Sequence, residues 1–398
     1  TDKQLFVSKV EIGQSEELEG ATLVVTDKVT GKELDKWVSG GTPHAVKGLE
    51  VNKTYLLTEV TAPDGYVRAE VIEFTVADDF QIQSVKMEDD YTKVDITKSD
   101  ITDGTPVIGA ELVIKDKDGN EVDRWVTEET PHHIDKLPIG DYTLTEITAP
   151  DGYVRAEVVN FTVKETGEIQ KVDMKDDYTK VEITKSDITS GKPVKGATLV
   201  IKDKDGVEVD IWVTGKKPHY IEKLPVGDYT LEEITAPDGY VRAEAVKFTV
   251  KETGEIQKAD MKDDYTKVEI SKKDMTTGKE LPGAKLTVID SKGKVVEEWV
   301  SGDKPHYIEK LPVGKYTLRE ETAPDGYLKA EDVEFEVKET GEIQKVEMLD
   351  KPAPAPETPD KLVQTGEFSF GYVAVAVVVV LALASLFLTL KKRKNQNK

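Results

Sequence analysis

Three ionisable residue types recur at positions where strand periodicity places them on apolar faces: a lysine, a glutamate and an aspartate, four times over. They are Lys9, Glu59 and Asp89; Lys98, Glu146 and Asp176; Lys185, Glu233 and Asp263; and Lys272, Glu320 and Asp350. In the third set, Lys185 follows Val181 and Ile183 in alternation, Glu233 follows Tyr229 and Leu231, and Asp263 follows Ala259 and Met261. Each apolar face therefore ends in a group that is costly to bury as an isolated charge, so the three must pair, shift their protonation or react. Burial favours the neutral amine and the protonated carboxyl. A neutral amine is a nucleophile, an un-ionised Asp carboxyl is an electrophile, and a neighbouring Glu can polarise the carbonyl and relay the proton. The product would be a Lys–Asp isopeptide bond with loss of water, driven by enforced proximity. The bland alternative is a buried salt bridge that satisfies itself.

The elements that must position these groups are strands. Stretches such as Val181-Glu-Ile183-Thr, Tyr229-Thr-Leu231 and Phe248-Thr-Val250 alternate with period two and are rich in β-formers. Turn residues separate them, at Asp118-Gly119, Asp205-Gly206, Pro225-Val-Gly227 and Glu252-Thr-Gly254. About seven short strands per unit point to an all-β, immunoglobulin-like antiparallel β-sandwich, with no helix longer than a turn or two before residue 368.

The sandwich is repeated. TAPDGY begins at Thr61, Thr148, Thr235 and Thr322, each step being 87 residues. A Pro-His pair (Pro43/His44, Pro131/His132, Pro218/His219, Pro305/His306) and a Trp (37, 125, 212, 299) keep nearly the same period. That length suits a small self-contained domain rather than a solenoid unit. The reading is four tandem domains, 1–91, 92–178, 179–265 and 266–350. The second residue of the Asp pair is present in the first three (Asp90, Asp177, Asp264), whereas Asp350 is followed by Lys351, so the first Asp is the common one.

Composition bounds the function. The chain has 398 residues, 54 Lys+Arg against 77 Asp+Glu, a formal net charge of −23 and no cysteine. Such acidity disfavours nucleic acid and anionic lipid as partners of the bulk of the chain. Lack of Cys excludes disulfides, thiolate metal sites and thiol nucleophiles. The histidines of successive Pro-His pairs fall in separate domains and read as strand-start residues, so no metal or cofactor is expected. Each Trp reads as sandwich core. Asp116-Lys-Asp118-Gly-Asn120 has its Gly too early for a calcium loop and reads as a hairpin turn.

After residue 350 the composition changes. Residues 351–361 form a Pro-rich linker reaching on the order of 34 Å at about 3.1 Å per residue. Leu362, Val363, Gln364, Thr365 and Gly366 precede an apolar span at 367–390, whose run from Phe368 to Leu390 carries no charge, and a basic tail at 391–398. The span reads as one transmembrane helix with the tail on the cytoplasmic side. The chain starts at Thr1, and residue 1 is read as a processed or truncated start.

The Lys after a φ-x-φ-x strand start, the EVTAPDGY, EITAPDGY and EETAPDGY segments at Glu59, Glu146, Glu233 and Glu320, and the closing φ-x-φ-x-Asp resemble the B-type domains of Gram-positive collagen adhesins, also called SpaA-like or prealbumin-like domains. The resemblance covers residues 1–350. It implies a reverse-immunoglobulin-type sandwich with an intramolecular bond from Lys to Asp or Asn, promoted by the Glu. The LVQTG segment, apolar span and basic tail together resemble a sortase sorting signal of LPxTG form, departing at Val363. That resemblance implies cleavage between Thr365 and Gly366, with Thr365 passed by a sortase to a peptidoglycan amine or a pilus-subunit lysine.

These readings converge on a secreted, cell-wall-anchored surface stalk or adhesin of a Gram-positive bacterium, touching the membrane only through the C-terminal helix before sorting. Closure of the Lys98–Asp176 loop, by analogy with disulfides, is worth ~4–5 kcal/mol. Alternatives are repeats that directly bind a host extracellular-matrix protein, or a minor or basal pilin subunit. An enzyme acting on external substrates is disfavoured, since its carboxylates would need an open cleft; bond formation here would be a single intramolecular turnover.

Overall fold

The computed structural model describes residues 3–79 and 81–354. The chain divides after Lys351 into two units, and the first holds four sandwiches of one design. In the first repeat the strands are β1 (Lys3–Glu11), β2 (Thr22–Asp27), β3 (Glu33–Val38), β4 (His44–Leu49), β5 (Thr54–Thr61), β6 (Tyr66–Val67), β7 (Ile72–Thr75) and β8 (Gln83–Tyr91). One sheet runs β4-β1-β8-β6, the other β3-β2-β5-β7. Seven strands were expected; the eighth is the two-residue β6, too short for periodicity to reveal. Its counterparts recur at Tyr153–Val154 and Tyr240–Val241.

Alternation explains the layers. Along β5, Tyr55, Leu57 and Glu59 are buried while their neighbours point outward. Inward residues of both sheets, including Leu5, Val7, Leu23, Val25, Val46, Tyr55, Leu57 and Met87, make one core, and equivalent cores fill the other three repeats. Each fully buried Leu or Val contributes roughly 1.5–3 kcal/mol. Asp27 closes the β2–β3 hairpin by accepting from the Val29 and Thr30 amides, and Asp116 does the same for Asp118 and Asn120, so the segment considered as a calcium loop is a turn.

The expectation of wholly antiparallel sandwiches needs one correction. β1 and β8 pair in parallel, from Leu5–Gln83 to Glu11–Asp89. The same parallel pair recurs in every repeat. Alternation reports which face a residue takes, not the direction of the neighbouring strand, so this pairing was hidden.

Among the described residues there is no helix, and none long and apolar enough to cross a membrane. The segments read as most of the linker, the LVQTG motif, the transmembrane helix and the basic tail lie outside the described residues.

Candidate functional site

The parallel ladder brings Lys9 and Asp89 together. Lys9 lies opposite Met87 in the register, so Asp89, two residues on, shares its inward face one step further along the ladder. Glu59 comes from the other sheet, opposite Leu23 of β2. A β-bulge sits immediately beyond it, where Leu23 faces Glu59 but Thr22 faces Thr61. The same bulge accompanies Glu146, Glu233 and Glu320. A bulge re-aims side chains locally, and here it adjoins the carboxylate that crosses the sandwich.

All twelve residues expected at these centres are buried, none being more than 6% exposed. The Lys9 Nζ lies 3.1 Å from Glu59 Oε2 and contacts Asp89 Oδ1. Lys98 Nζ is 3.0 Å from Glu146 Oε2 and contacts Asp176. Lys185 Nζ is 2.9 Å from Glu233 Oε2 and contacts Asp263. Lys272 Nζ is 3.1 Å from Glu320 Oε1 and contacts Asp350. The four trios are thus assembled, and in the fourth repeat Lys272 faces inward while Lys273 points out to Glu347.

Each Glu is held by a group that sequence reasoning missed. The backbone amide of Ala69 donates to Glu59 Oε2 at 2.7 Å, and Ala156, Ala243 and Ala330 do the same for Glu146, Glu233 and Glu320 at 2.6, 2.7 and 2.7 Å. Each alanine stands ten residues after its Glu, at the end of the loop that TAPDGY begins. The recurring spacing from Glu through TAPDGY to Ala was the available signal; the loop folds back onto the glutamate that precedes it.

Electrostatics favour a neutral aspartic acid. Burial pushes Asp89, Asp176 and Asp263 up to about 7, against the lowering effect of the lysine and with the glutamate adding to the rise. Asp350 is raised for the same reasons. In the first two repeats Glu59 Oε1, Asp89 Oδ2, Glu146 Oε1 and Asp176 Oδ2 are buried without a hydrogen-bond partner among the described residues. Fully ionised carboxylates would leave acceptors orphaned there, whereas protonation supplies a donor. The arrangement therefore offers an amine in contact with a carboxyl that can be un-ionised at neutral pH, with a second carboxyl beside both.

The Pro-His histidines open strands, as at His44 and His132, and no group of three or more potential metal ligands occurs among the described residues. The tryptophans differ from the core reading in part. Trp37 packs against the core edge, but its other face stacks on His44 at 4.1 Å, and His44 bonds Asp35 at 2.8 Å. The remaining three tryptophans stack likewise.

The SpaA family of prealbumin-like fold domains matches residues 3–91, 92–178, 179–265 and 266–352. Serine-aspartate repeat-containing protein F of Staphylococcus epidermidis is 25% identical, the match covering 60% of this chain and 17% of that protein, so the chain corresponds to a small part of that relative's length. Among solved structures, the Bacillus anthracis TIE protein is 24% identical with a TM-score of 0.40, over 88% of this chain and 75% of that one. BcpA, the major pilin subunit of Bacillus cereus, is 17% identical with a TM-score of 0.28, over 66% of this chain and 99% of that one. With four successive matches spanning nearly all of the described residues, the chain belongs to the SpaA family of prealbumin-like fold domains, carried here as four tandem copies.

Proposed function

We propose that each repeat closes its own Lys–Asp isopeptide bond, and that the four repeats form a load-resistant stalk on the surface of a Gram-positive bacterium. The observation that carries this reading is the buried contact of each Lys Nζ with an Asp carboxyl, beside a Glu fixed by a backbone amide, in all four copies. In the step proposed, the neutral lysine amine attacks Asp Cγ and the C–N bond forms. The Glu accepts a proton from the attacking nitrogen and returns it to the departing hydroxyl, so one water leaves per bond and the Glu is regenerated. Preorganisation in a dry interior supplies the proximity that free side chains lack.

Because the bonded strands are the first and last of each repeat, the bond would let tension bypass the residues between them. Membership of the SpaA family, and similarity to the serine-aspartate repeat-containing protein F of Staphylococcus epidermidis, support an extracellular setting. We further propose that LVQTG at 362–366 is processed by a sortase, which joins Thr365 to a wall amine. The repeats act as a spacer; the TAPDGYVRAE segment, identical in the first three copies, suits length rather than varied ligand recognition.

The test is the intact mass of the chain under denaturing conditions, beside a variant with Glu59, Glu146, Glu233 and Glu320 changed to Ala. A deficit of four waters, absent from the variant, is the expected result. An undiminished mass in both would overturn the reading and leave four buried ion clusters.

A further inference from the structure

Three lysines outside the cross-linking centres adopt a backbone conformation that their residue type disfavours. Lys136, Lys223 and Lys310 have φ of 60°, 60° and 61°, a left-handed geometry that is sterically unfavourable for a non-glycine residue. At the corresponding place in the first repeat, four residues beyond the histidine of the Pro-His pair, stands Gly48, with φ of 77°. Glycine would therefore serve the turn, and the lysine in the other three repeats calls for a separate reason.

That reason lies in the preceding repeat. Lys136 Nζ donates to Glu11 at 2.6 Å and lies 5.2 and 5.3 Å from the ring centres of Tyr66 and Tyr91. Lys223 Nζ sits 2.9 Å from Asp100, donates to the Tyr153 hydroxyl at 2.7 Å and faces Tyr153 and Tyr178 at 4.8 and 5.2 Å. Lys310 repeats this with Asp187, Tyr240 and Tyr265. Two aromatic faces and a carboxylate form a cage for one ammonium.

The backbone around each cage is equally fixed. Thr92, fully buried and the first residue of the second repeat, donates through its amide to Gly65 of the repeat before and through its hydroxyl to Leu137 of its own repeat at 2.6 Å, while Lys136 donates its amide to Thr92. Thr179 and Thr266 do the same at the following junctions. The glycine of the first three TAPDGY segments lies against the caged lysine's backbone: a Cβ on Gly65, Gly152 or Gly239 would come within 2.3, 2.2 and 2.2 Å of the carbonyl oxygen of Lys136, Lys223 or Lys310. The second Asp of each pair joins too, since Asp90 accepts from Lys93, which also donates to Gly167.

We propose that Lys136, Lys223 and Lys310 lock adjoining repeats into one fixed mutual orientation, each by seating its ammonium in the tyrosine–carboxylate cage at the end of the repeat before it. The lock is independent of whether the Lys–Asp bonds form. It is directional: the preceding repeat supplies the carboxylate and both tyrosines of the cage, and a left-handed lysine of the following repeat supplies the plug.

The absence of cysteine makes the test direct. In the full chain, Lys117→Cys and Lys204→Cys place spin labels at exposed, equivalent turns of the second and third repeats, and electron–electron double resonance reads the distance distribution between them. A single narrow distribution is expected. Lys223→Gly, which mimics Gly48 and relieves the backbone, is expected to at least double its width. Lys310→Gly, at the next junction, is expected to leave it unchanged and shows that the repeats remain folded. A broad distribution in the labelled parent, or one left narrow by Lys223→Gly, would overturn the proposal.

Discussion

The fourth repeat shares its centre with the other three but not its end. Lys272, Glu320 and Asp350 are as buried and as closely placed as Lys98, Glu146 and Asp176. Yet where the first three repeats read Asp-Asp-Tyr-Thr, the fourth reads Asp-Lys-Pro-Ala at 350–353. Its Tyr327 hydroxyl bonds Asp274 at 2.6 Å as Tyr66, Tyr153 and Tyr240 bond Glu11, Asp100 and Asp187, but no lysine is seated beside it among the described residues, and Gly326 has open space where Gly65, Gly152 and Gly239 press on a neighbour. Centre and junction are therefore separable devices. One belongs to the sandwich itself, the other to the step between sandwiches, although they share a strand: Glu11, Asp100 and Asp187, which receive the plugs, stand two residues beyond Lys9, Lys98 and Lys185.

If the centre is common to all repeats, its loss should cost the same wherever it is made. Lys98→Ala and Lys272→Ala are each expected to lower the stability of their own repeat by about 4–5 kcal/mol, the scale of a lost closure of similar loop length. Urea unfolding followed through tryptophan fluorescence measures both, and a large loss in one repeat alone would break the equivalence. The glycines should behave in the opposite way. Gly152→Ala forces a Cβ onto the Lys223 backbone and disrupts the junction, whereas Gly326→Ala meets nothing among the described residues and carries only the left-handed penalty, about 1 kcal/mol. Melting temperatures of the two variants test this, and equal effects would show that the close approach has no energetic consequence.

A pH dependence sharpens the account of the centre. In the variant with all four glutamates changed to Ala, burial still raises Asp89, Asp176 and Asp263. With the glutamate present and no bond formed, these carboxyls are raised from the ordinary 3.8 to about 7, burial being the largest cause. The folded state then holds protons that the unfolded chain has released, so stability is expected to fall as pH rises from about 4 towards 7. Thermal unfolding across that window measures it; a stability that rises instead would show the carboxyls to be ionised. The smallest effect is expected at the surface of the first junction. Arg68 grips Glu165 across it at 2.7 and 2.9 Å, but both side chains are solvent-accessible, so Arg68→Ala is expected to leave the melting temperature almost unchanged in the same assay.

The trios were legible because side chains alternate along a strand with period two, which puts Lys185 on the face of Val181 and Ile183 whatever the sheet topology. The 87-residue recurrence of TAPDGY made the domains legible. What escaped were features that act across distance or across a boundary. The direction of the β1–β8 pairing is set by the path of the chain, not by its alternation. The Ala69 amide is a backbone donor, invisible as a residue type. The bulge beside Glu59 leaves no compositional mark. Asp90, Tyr91 and Thr92 recur visibly, but each has a partner across the boundary between repeats, so reading each unit by itself gave them nothing to do; the sequence comparison of Asp350-Lys351 with the earlier Asp pairs located the difference without its meaning.

The parallel ladder of the first and last strands has a mechanical consequence of its own. A pull applied through the two ends of a repeat enters at the start of β1 and leaves at the end of β8, so the strands are driven past one another lengthwise. Every rung from Leu5–Gln83 to Glu11–Asp89 is then loaded at the same moment, so even before any cross-link the pair resists in shear, all together, rather than unzipping one hydrogen bond after another.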